Sequence, residues 1–206
     1  MTSPPRRYPD YDVLDKRDSP SWDDITRHVV AGRLNPPERQ FFDDALWDVL
    51  IALCDTIMPQ PDRDRPIAIW IDAALAQNRT TGTRYDNLPP MREAWKRGLA
   101  ALEAEARLCH GRPFHDLAQD AREALLKAID REEVAAPEWN DLPPRRMFRE
   151  VLANEIVRVY YSHPDAWSEI GFGGPASPRG YVRLGPNRRD PWEAEESAAT
   201  RRSAEP

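Results

Sequence analysis

The chain has 206 residues, enough for one ordinary domain with a buried core and too few for two of comfortable size. Acidic residues outnumber basic ones by 35 to 29, and the net charge of -6 argues against nucleic-acid binding, which depends on attraction to phosphate groups. Two cysteines imply no disulfide framework. No apolar run approaches the ~18 residues that are needed to span a bilayer.

The two ends of the chain differ in composition from its middle. Residues 1–20 combine prolines with mixed charge and predict an extended N-terminal arm. Residues 186–206 mix arginine and glutamate with serine, alanine and proline, which predicts a disordered C-terminal tail. The residues between them, 21–185, are expected to form a helical domain. No apolar stretch follows Arg6 and Arg7, so no signal peptide is predicted. The chain as written is expected in the cytoplasm, and in the periplasm only if it is exported with a partner.

Apolar residues recur at helical spacing through the middle of the chain, without a convincing strand pattern of period two. Double prolines are typical of helix starts, because the amide that proline lacks would be unpaired in the first turn anyway. The predicted fold class is all-α, a single irregular helical domain of about six helices. These helices are expected from Trp22 (capped by Ser21) to Ala31, from Pro36-Pro37 to Pro59, from near Pro66 onward, from Pro89-Pro90 to Gly111, from Phe114 to Ile129 and from Pro143-Pro144 to Pro164.

Two groups of residues are candidates for a metal-binding or a catalytic site. Cys109, His110 and His115 bring together the ligand types that zinc prefers, but adjacent side chains on a helix diverge and no CxxC pair is present. We interpret them as a helix C-terminus and predict no metal or cofactor site in this chain. His163, beside two tyrosines and Pro164, is interpreted as a capping or interface residue. The alternative function is a stand-alone helical enzyme that uses His163 and nearby carboxylates.

The segment from Tyr160 to Tyr181 combines aromatic residues with three prolines and four glycines, which predicts a loop with a specified path. Gly171 to Ala176 matches G-x-G-x-x-A, but the dinucleotide-binding fingerprint must follow a strand, and here it follows a helix. Interface hot spots favour Trp, Tyr and Arg, although about half of these aromatics are expected to close the domain's own core. The candidate partner-binding residues are Tyr160, Tyr161, His163, Trp167, Phe172, Gly173, Gly174, Arg179 and Tyr181.

Four pieces of sequence stand out over roughly residues 40–181. They are Ala-Leu-Cys54-Asp-Thr-Ile-Met-Pro59, Gly98-Leu-Ala-Ala-Leu102-Glu-Ala-Glu-Ala, Gly111-Arg-Pro113-Phe114-His-Asp-Leu117 and Tyr160-Tyr-Ser-His163-Pro followed by Gly171-Phe-Gly-Gly-Pro175. The last of them is the most distinctive, and the helical pieces are less specific. Together they resemble a known family, subunit 3 (the small subunit) of gluconate 2-dehydrogenase.

This resemblance implies a non-catalytic small subunit that binds and stabilises a large FAD-dependent dehydrogenase subunit of the glucose-methanol-choline type, acting on a sugar or an alcohol. The FAD and the proton-abstracting histidine would lie on that large subunit, and in such complexes a cytochrome c subunit often takes the electrons onward. The chain itself is then expected to hold no cofactor and to be no enzyme on its own. In many members a twin-arginine signal on the small subunit exports both subunits, and this sequence departs from the family at that point.

Overall fold

The computed structural model describes residues 7–60, 67–79, 85–176 and 190–196. Within these ranges the chain is helical and contains no strand, which confirms the all-α class. None of the helices described is both long enough and apolar enough to cross a membrane. The α-helices are α1 (Asp24–Arg33), α2 (Asp44–Ile57), α3 (Ile67–Ala76), α4 (Met91–His110), α5 (Gln119–Asp130), α6 (Pro144–Arg146), α7 (Asn154–Ser162) and α8 (Pro164–Ile170). Short 3-10 helices span Val13–Asp18, Phe114–Asp116 and Pro137–Trp139, and a π-helical segment spans Met147–Ala153.

Internal contacts divide the chain into two compact units. Unit 1 combines residues 1–36 with residues 161–206, so both ends of the chain contribute to it. Unit 2 comprises residues 37–160. The helices α1 and α8 belong to unit 1, together with the 3-10 helix Val13–Asp18.

Unit 2 is organised around α4, which contacts α2 and the π-helical segment. Gly98 permits a close approach between α4 and the π-helical segment, because a Cβ atom at that position would lie 2.7 Å from Cε of Met147. The apolar stripes that the helical spacing predicts supply most of the interior. The largest fully buried side chains of unit 2 are Leu50, Leu53, Ile71, Trp95, Leu99, Leu102, Phe114, Ile129, Leu142, Met147 and Leu152.

Two of the three helix starts predicted from double prolines are confirmed. Helix α4 begins directly after Pro90, and α6 begins at Pro144. The third is wrong, because α2 begins at Asp44, well beyond Pro37. The side chain of Asp43 accepts the amide of Leu46 at 3.0 Å, so the N-cap lies there.

The residues before α2 are held by Asp72, a fully buried carboxylate on α3. Its oxygens accept the backbone amides of Gln40 at 2.6 Å, Phe41 at 3.0 and 3.1 Å, and Phe42 at 2.9 Å. Three consecutive amides that donate to one side chain are satisfied without a helix. This explains why regular structure starts only after residue 42.

Two other helix boundaries differ from the prediction. Asp23, rather than Ser21, caps α1 by accepting the amide of Thr26 at 2.7 Å. The predicted fifth helix is interrupted: Phe114–Asp116 is a 3-10 helix and α5 begins only at Gln119.

The core of unit 1 draws on residues that the composition assigned to an arm. Residues 7–20 include the 3-10 helix, which Asp12 caps by accepting the amide of Leu14 at 2.9 Å. Residues 190–196, part of the predicted tail, form a turn closed by a bond of 3.1 Å from the Glu193 amide to the Asp190 carbonyl. The buried core consists of Val13, Trp22, Val30 and Trp167, with Tyr11 and Leu14 packed against it.

Candidate functional site

The segment 160–181 contains a helix that its proline and glycine content did not predict. Pro164 begins α8 instead of only ending the preceding helix. His163 is the N-cap residue, and its Nδ1 atom accepts the amide of Asp165 at 3.3 Å. Gly171 ends α8 in the left-handed conformation at a φ of 69°. The loop prediction is therefore wrong for residues 164–170, because proline is well accommodated in the first turn of a helix.

Trp167 lies at the centre of this segment and is buried in unit 1. Its indole N–H donates to the carbonyl of Tyr161 at 2.7 Å. The guanidinium carbon of Arg33 lies 5.2 Å from the centre of the indole, and Arg33 also donates to the Ser162 carbonyl at 2.7 Å. The ring of Phe172 meets the indole edge-on at 5.8 Å. Trp167 thus joins α1, α8 and the residues that follow α8.

Lys16 secures the glycine-containing turn after α8. Although it is charged, its side chain is almost completely buried. Its Nζ atom donates to the Gly173 carbonyl at 2.6 Å and to the Glu193 carboxylate at 3.3 Å. Gly174 is also enclosed, since a Cβ atom there would lie 3.2 Å from Trp167 and Val13. Segments from both ends of the chain therefore cover this turn.

We expect Lys16→Met to lower the free energy of unfolding by about 2 kcal/mol, because the Gly173 carbonyl and the Glu193 carboxylate lose a charged donor. Chemical denaturation followed by circular dichroism measures the change. Lys127→Met is the control, since Lys127 lies on α5 with its side chain largely exposed and should change stability by less than about 0.5 kcal/mol. Equal losses in the two variants would contradict a stabilising role for the Lys16 contacts.

Exposed apolar side chains are concentrated in unit 1. Of the eight large exposed hydrophobic residues among the described ranges, five belong to it. Tyr161, Ile170 and Phe172 flank Trp167 in the chain, and each is between 42 and 48% exposed. The other two are Ile25 and Val29, which share the outer face of α1.

The structure sorts the nine candidate partner-binding residues by accessibility. Tyr161 and Phe172 are exposed. His163 is mostly enclosed and caps α8. Arg179 and Tyr181 lie outside the described residues. The remaining candidates are buried within the chain, namely Tyr160, Trp167, Gly173 and Gly174.

Three exposed residues were missed in the sequence. Ile170 is aliphatic, and the large apolar residues predicted as candidates in this segment are all aromatic. On α1, Thr26 and Val30 are buried, so Ile25 and Val29, each one position earlier, face outward. A helical projection would have shown apolar residues on both faces of α1, which is the signal that could have found them.

The cysteine and histidine group at the end of α4 forms no metal-binding cluster among the described residues. The Cys109 thiol instead donates to the Glu105 carboxylate at 3.5 Å. Glu105 is buried and also accepts the amides of Ala135 and Ala136, with the shortest bond at 2.9 Å. Its role in the structure is to hold the chain between α5 and the 3-10 helix Pro137–Trp139 against α4.

We expect iodoacetamide to label Cys109 well before Cys54, which is buried. Desolvation, the hydrogen bond to Glu105 and the negative charge of Glu105 raise the pKa of Cys109. A raised pKa leaves less thiolate at a given pH, so the labelling rate should rise to half its maximum at a higher pH than for free cysteine. Mass spectrometry of the labelled peptides over a pH series measures both effects. Faster labelling of Cys54, or a midpoint below that of free cysteine, would contradict this assignment.

These observations describe an all-α chain that presents apolar side chains on unit 1 and whose described residues hold no cluster suited to a metal ion. Comparison with protein families places it more narrowly. The family described as Gluconate 2-dehydrogenase subunit 3 matches residues 44–174, which is more than half of the chain. The chain belongs to the gluconate 2-dehydrogenase subunit 3 family.

The family match confirms the resemblance seen in the sequence, and the family's name describes a subunit of a dehydrogenase complex. The matched range includes α2 to α8 and the turn at Gly173 and Gly174. It leaves out α1, the 3-10 helix Val13–Asp18 and residues 190–196. No curated protein and no solved structure matches the chain.

Proposed function

We propose that this chain is a non-catalytic small subunit that binds and stabilises a large FAD-dependent dehydrogenase subunit of the glucose-methanol-choline type, acting on a sugar or an alcohol. The FAD belongs to the large subunit and none is held by this chain. Family membership supports association within a dehydrogenase complex. The concentration of exposed apolar side chains in unit 1 is the observation that carries the binding role.

The proposed contact surface, which we call the α8 face, consists of Tyr161, Ile170 and Phe172. Burying such side chains against a partner is favourable by about 25 cal/mol for each Å² of apolar surface removed from water. Aromatic residues in particular are enriched among the few side chains that dominate binding energy at interfaces. Three large apolar residues within twelve positions of the sequence therefore form the proposed centre of this interface.

The α8 face rests on a buried and hydrogen-bonded frame, which favours binding. The carbonyl of Tyr161 accepts the Trp167 indole N–H, and Phe172 packs edge-on against the same indole. The turn that follows Phe172 is fastened by Lys16 through the Gly173 carbonyl. Side chains that are already ordered before association lose less conformational entropy when they bind. The frame residues Trp167, Gly173 and Gly174 thus contribute to partner binding by support rather than by contact.

The test is co-expression of the tagged chain with the large flavoprotein subunit, followed by affinity purification, a flavin spectrum and a dye-linked dehydrogenase assay. The wild-type chain should retain a yellow, active complex, whereas the tagged chain alone should be colourless and inactive. The double variant Tyr161→Ser/Phe172→Ser should lower the affinity at least ~10-fold, since each residue at an interface centre contributes on the order of 1 kcal/mol.

Leu108→Ser provides the matched control, because Leu108 is a large exposed apolar residue on α4 in unit 2. Its affinity for the large subunit should match that of the wild type. Circular dichroism must show that both variants are folded. A yellow tagged chain without a partner would refute the non-catalytic assignment. Equal affinities of both variants for the large subunit would show that the α8 face is not part of the interface.

A further inference from the structure

Two cations of unit 2 meet the ring of a single phenylalanine. The Arg92 guanidinium carbon lies 4.9 Å from the centre of the Phe41 ring, and the Lys96 Nζ atom lies 4.6 Å from it. Both cations are exposed residues of α4 and stand four positions apart. We call Phe41, Arg92 and Lys96 the Phe41 cation cluster.

The ring at the centre of this cluster is anchored from behind. The Phe41 amide donates to both oxygens of the buried Asp72 carboxylate, at 3.0 and 3.1 Å. Its ring also meets the buried ring of Phe42 edge-on at 4.8 Å. Since the backbone and the ring are both held, the two cations are presented in a defined position at the surface of unit 2.

Within the described residues, neither cation of the cluster is paired with a carboxylate. Arg92 and Lys96 have the Phe41 ring as their contact, whereas the nearest acidic residue of α4, Glu93, faces Arg97 at 3.7 Å. Asp44, beyond Phe41 in the chain, is paired with Arg39. The cluster therefore carries uncompensated positive charge on a chain whose net charge is -6.

The placement of these charges is unfavourable for the isolated chain. Like charges four positions apart on a helix repel one another. Arg92 also lies in the first turn of α4, where the helix dipole disfavours cations. An anionic group that approaches the cluster offsets both effects, because it is attracted by both side chains and by the N-terminal end of the helix. Charge complementarity thus specifies an acidic partner surface.

We propose that the Phe41 cation cluster binds carboxylate side chains on an acidic surface of the large subunit. This inference rests on the proposed function and adds a second, electrostatic contact on unit 2. Charge-assisted hydrogen bonds from Arg92 and Lys96 to carboxylates are shorter and stronger than neutral ones. Exposed charges of this kind act mainly by accelerating association, and salt weakens their effect.

The test measures the association rate constant of the purified chain with the large subunit at several salt concentrations. The double variant Arg92→Glu/Lys96→Glu should associate at least ~10-fold more slowly at low salt and show a weaker salt dependence. The control Lys127→Glu/Arg131→Glu carries the same change in net charge at exposed positions of unit 2. It should stay within about 2-fold of the wild type. The association rate constant of Arg92→Gln/Lys96→Gln, which removes the charges without reversing them, should fall between those of Arg92→Glu/Lys96→Glu and the wild type.

Each outcome separates this inference from the proposed function. Failure of the wild-type chain to bind the large subunit would refute the proposed function and this inference with it. Normal binding by the wild type, with equal rates for the cluster variant and the control, would overturn only the inference. Vesicles containing phosphatidylserine provide a further arm. If they bind the wild-type chain but not the cluster variant, while association with the large subunit is unchanged, the cluster serves an anionic lipid surface and the inference is overturned.

Discussion

Replacing Trp167 with alanine is expected to lower the free energy of unfolding by about 3–5 kcal/mol, the range found when a large buried aromatic side chain is removed. The residue is buried in the core of unit 1 with Val13, Trp22 and Val30. The substitution also removes the hydrogen bond to the Tyr161 carbonyl and the ring on which Arg33 and Phe172 pack. The proposed binding to a large subunit should weaken as well, although the α8 face itself is unchanged in sequence.

Chemical denaturation of the variant, followed by circular dichroism, gives this loss directly. Trp47→Ala is a suitable control, because Trp47 is only half-buried on α2 and lies 5.3 Å from the guanidinium carbon of Arg39. Trp47→Ala should lower the free energy of unfolding by clearly less than Trp167→Ala does. The free energy of unfolding of Trp167→Phe, which keeps a ring but not the N–H donor, should fall between those of the wild type and Trp167→Ala. A loss for Trp167→Ala no greater than that for Trp47→Ala would show that the indole is not central to unit 1.

Asp72→Asn is expected to lower the free energy of unfolding by about 3 kcal/mol. Asp72 is fully buried and its oxygens accept the amides of Gln40, Phe41 and Phe42. An asparagine offers one oxygen and turns an NH₂ group toward amides that also donate. At least two charge-assisted hydrogen bonds are then lost, each worth about 1.5 kcal/mol or more.

The matched control is Asp48→Asn, the same chemical change at an exposed position of α2, which should alter stability by less than about 0.5 kcal/mol. Hydrogen exchange locates the effect, since the amides of residues 40–42 should lose protection in Asp72→Asn first. Unchanged protection of these amides, or equal stability of the two variants, would show that the carboxylate does not hold this stretch of chain.

The parts of the fold that could be predicted are those governed by neighbouring residues. Gly111 marks the end of α4 as expected, because a left-handed residue favours glycine. The prediction that a helix starts at Pro36 and Pro37 is wrong, because the amides of Gln40 and Phe41 are satisfied by Asp72, more than thirty positions away along the chain. A buried polar group whose partners are distant leaves no periodic pattern in the sequence, so its effect on a helix start cannot be read locally.

In the candidate site, too, neighbouring residues predict some features and contacts between distant residues decide the others. The sequence predicts the candidate site in the segment around Trp167, because aromatic and glycine residues are concentrated there. It could not separate Trp167 and Gly173, which are covered, from Tyr161 and Phe172, which are exposed. That distinction depends on residues such as Lys16, which lies 157 positions from Gly173. Only the folded arrangement of both chain ends decides which aromatics are exposed.

Unit 1 also bears on how the chain can be divided for expression. The family match begins at residue 44 and ends at residue 174, so a fragment trimmed to those limits keeps Trp167 and discards Val13, Lys16, Trp22 and Val30. The Trp167 indole, the turn at Gly173 and Gly174 and the α8 face would then lack the residues that pack against or support them. Such a fragment would expose an apolar surface suited to self-association. A boundary drawn where sequence similarity stops would therefore cut through a folded unit, and useful truncations of this chain must retain the residues from Val13 to Val30 that pack against Trp167.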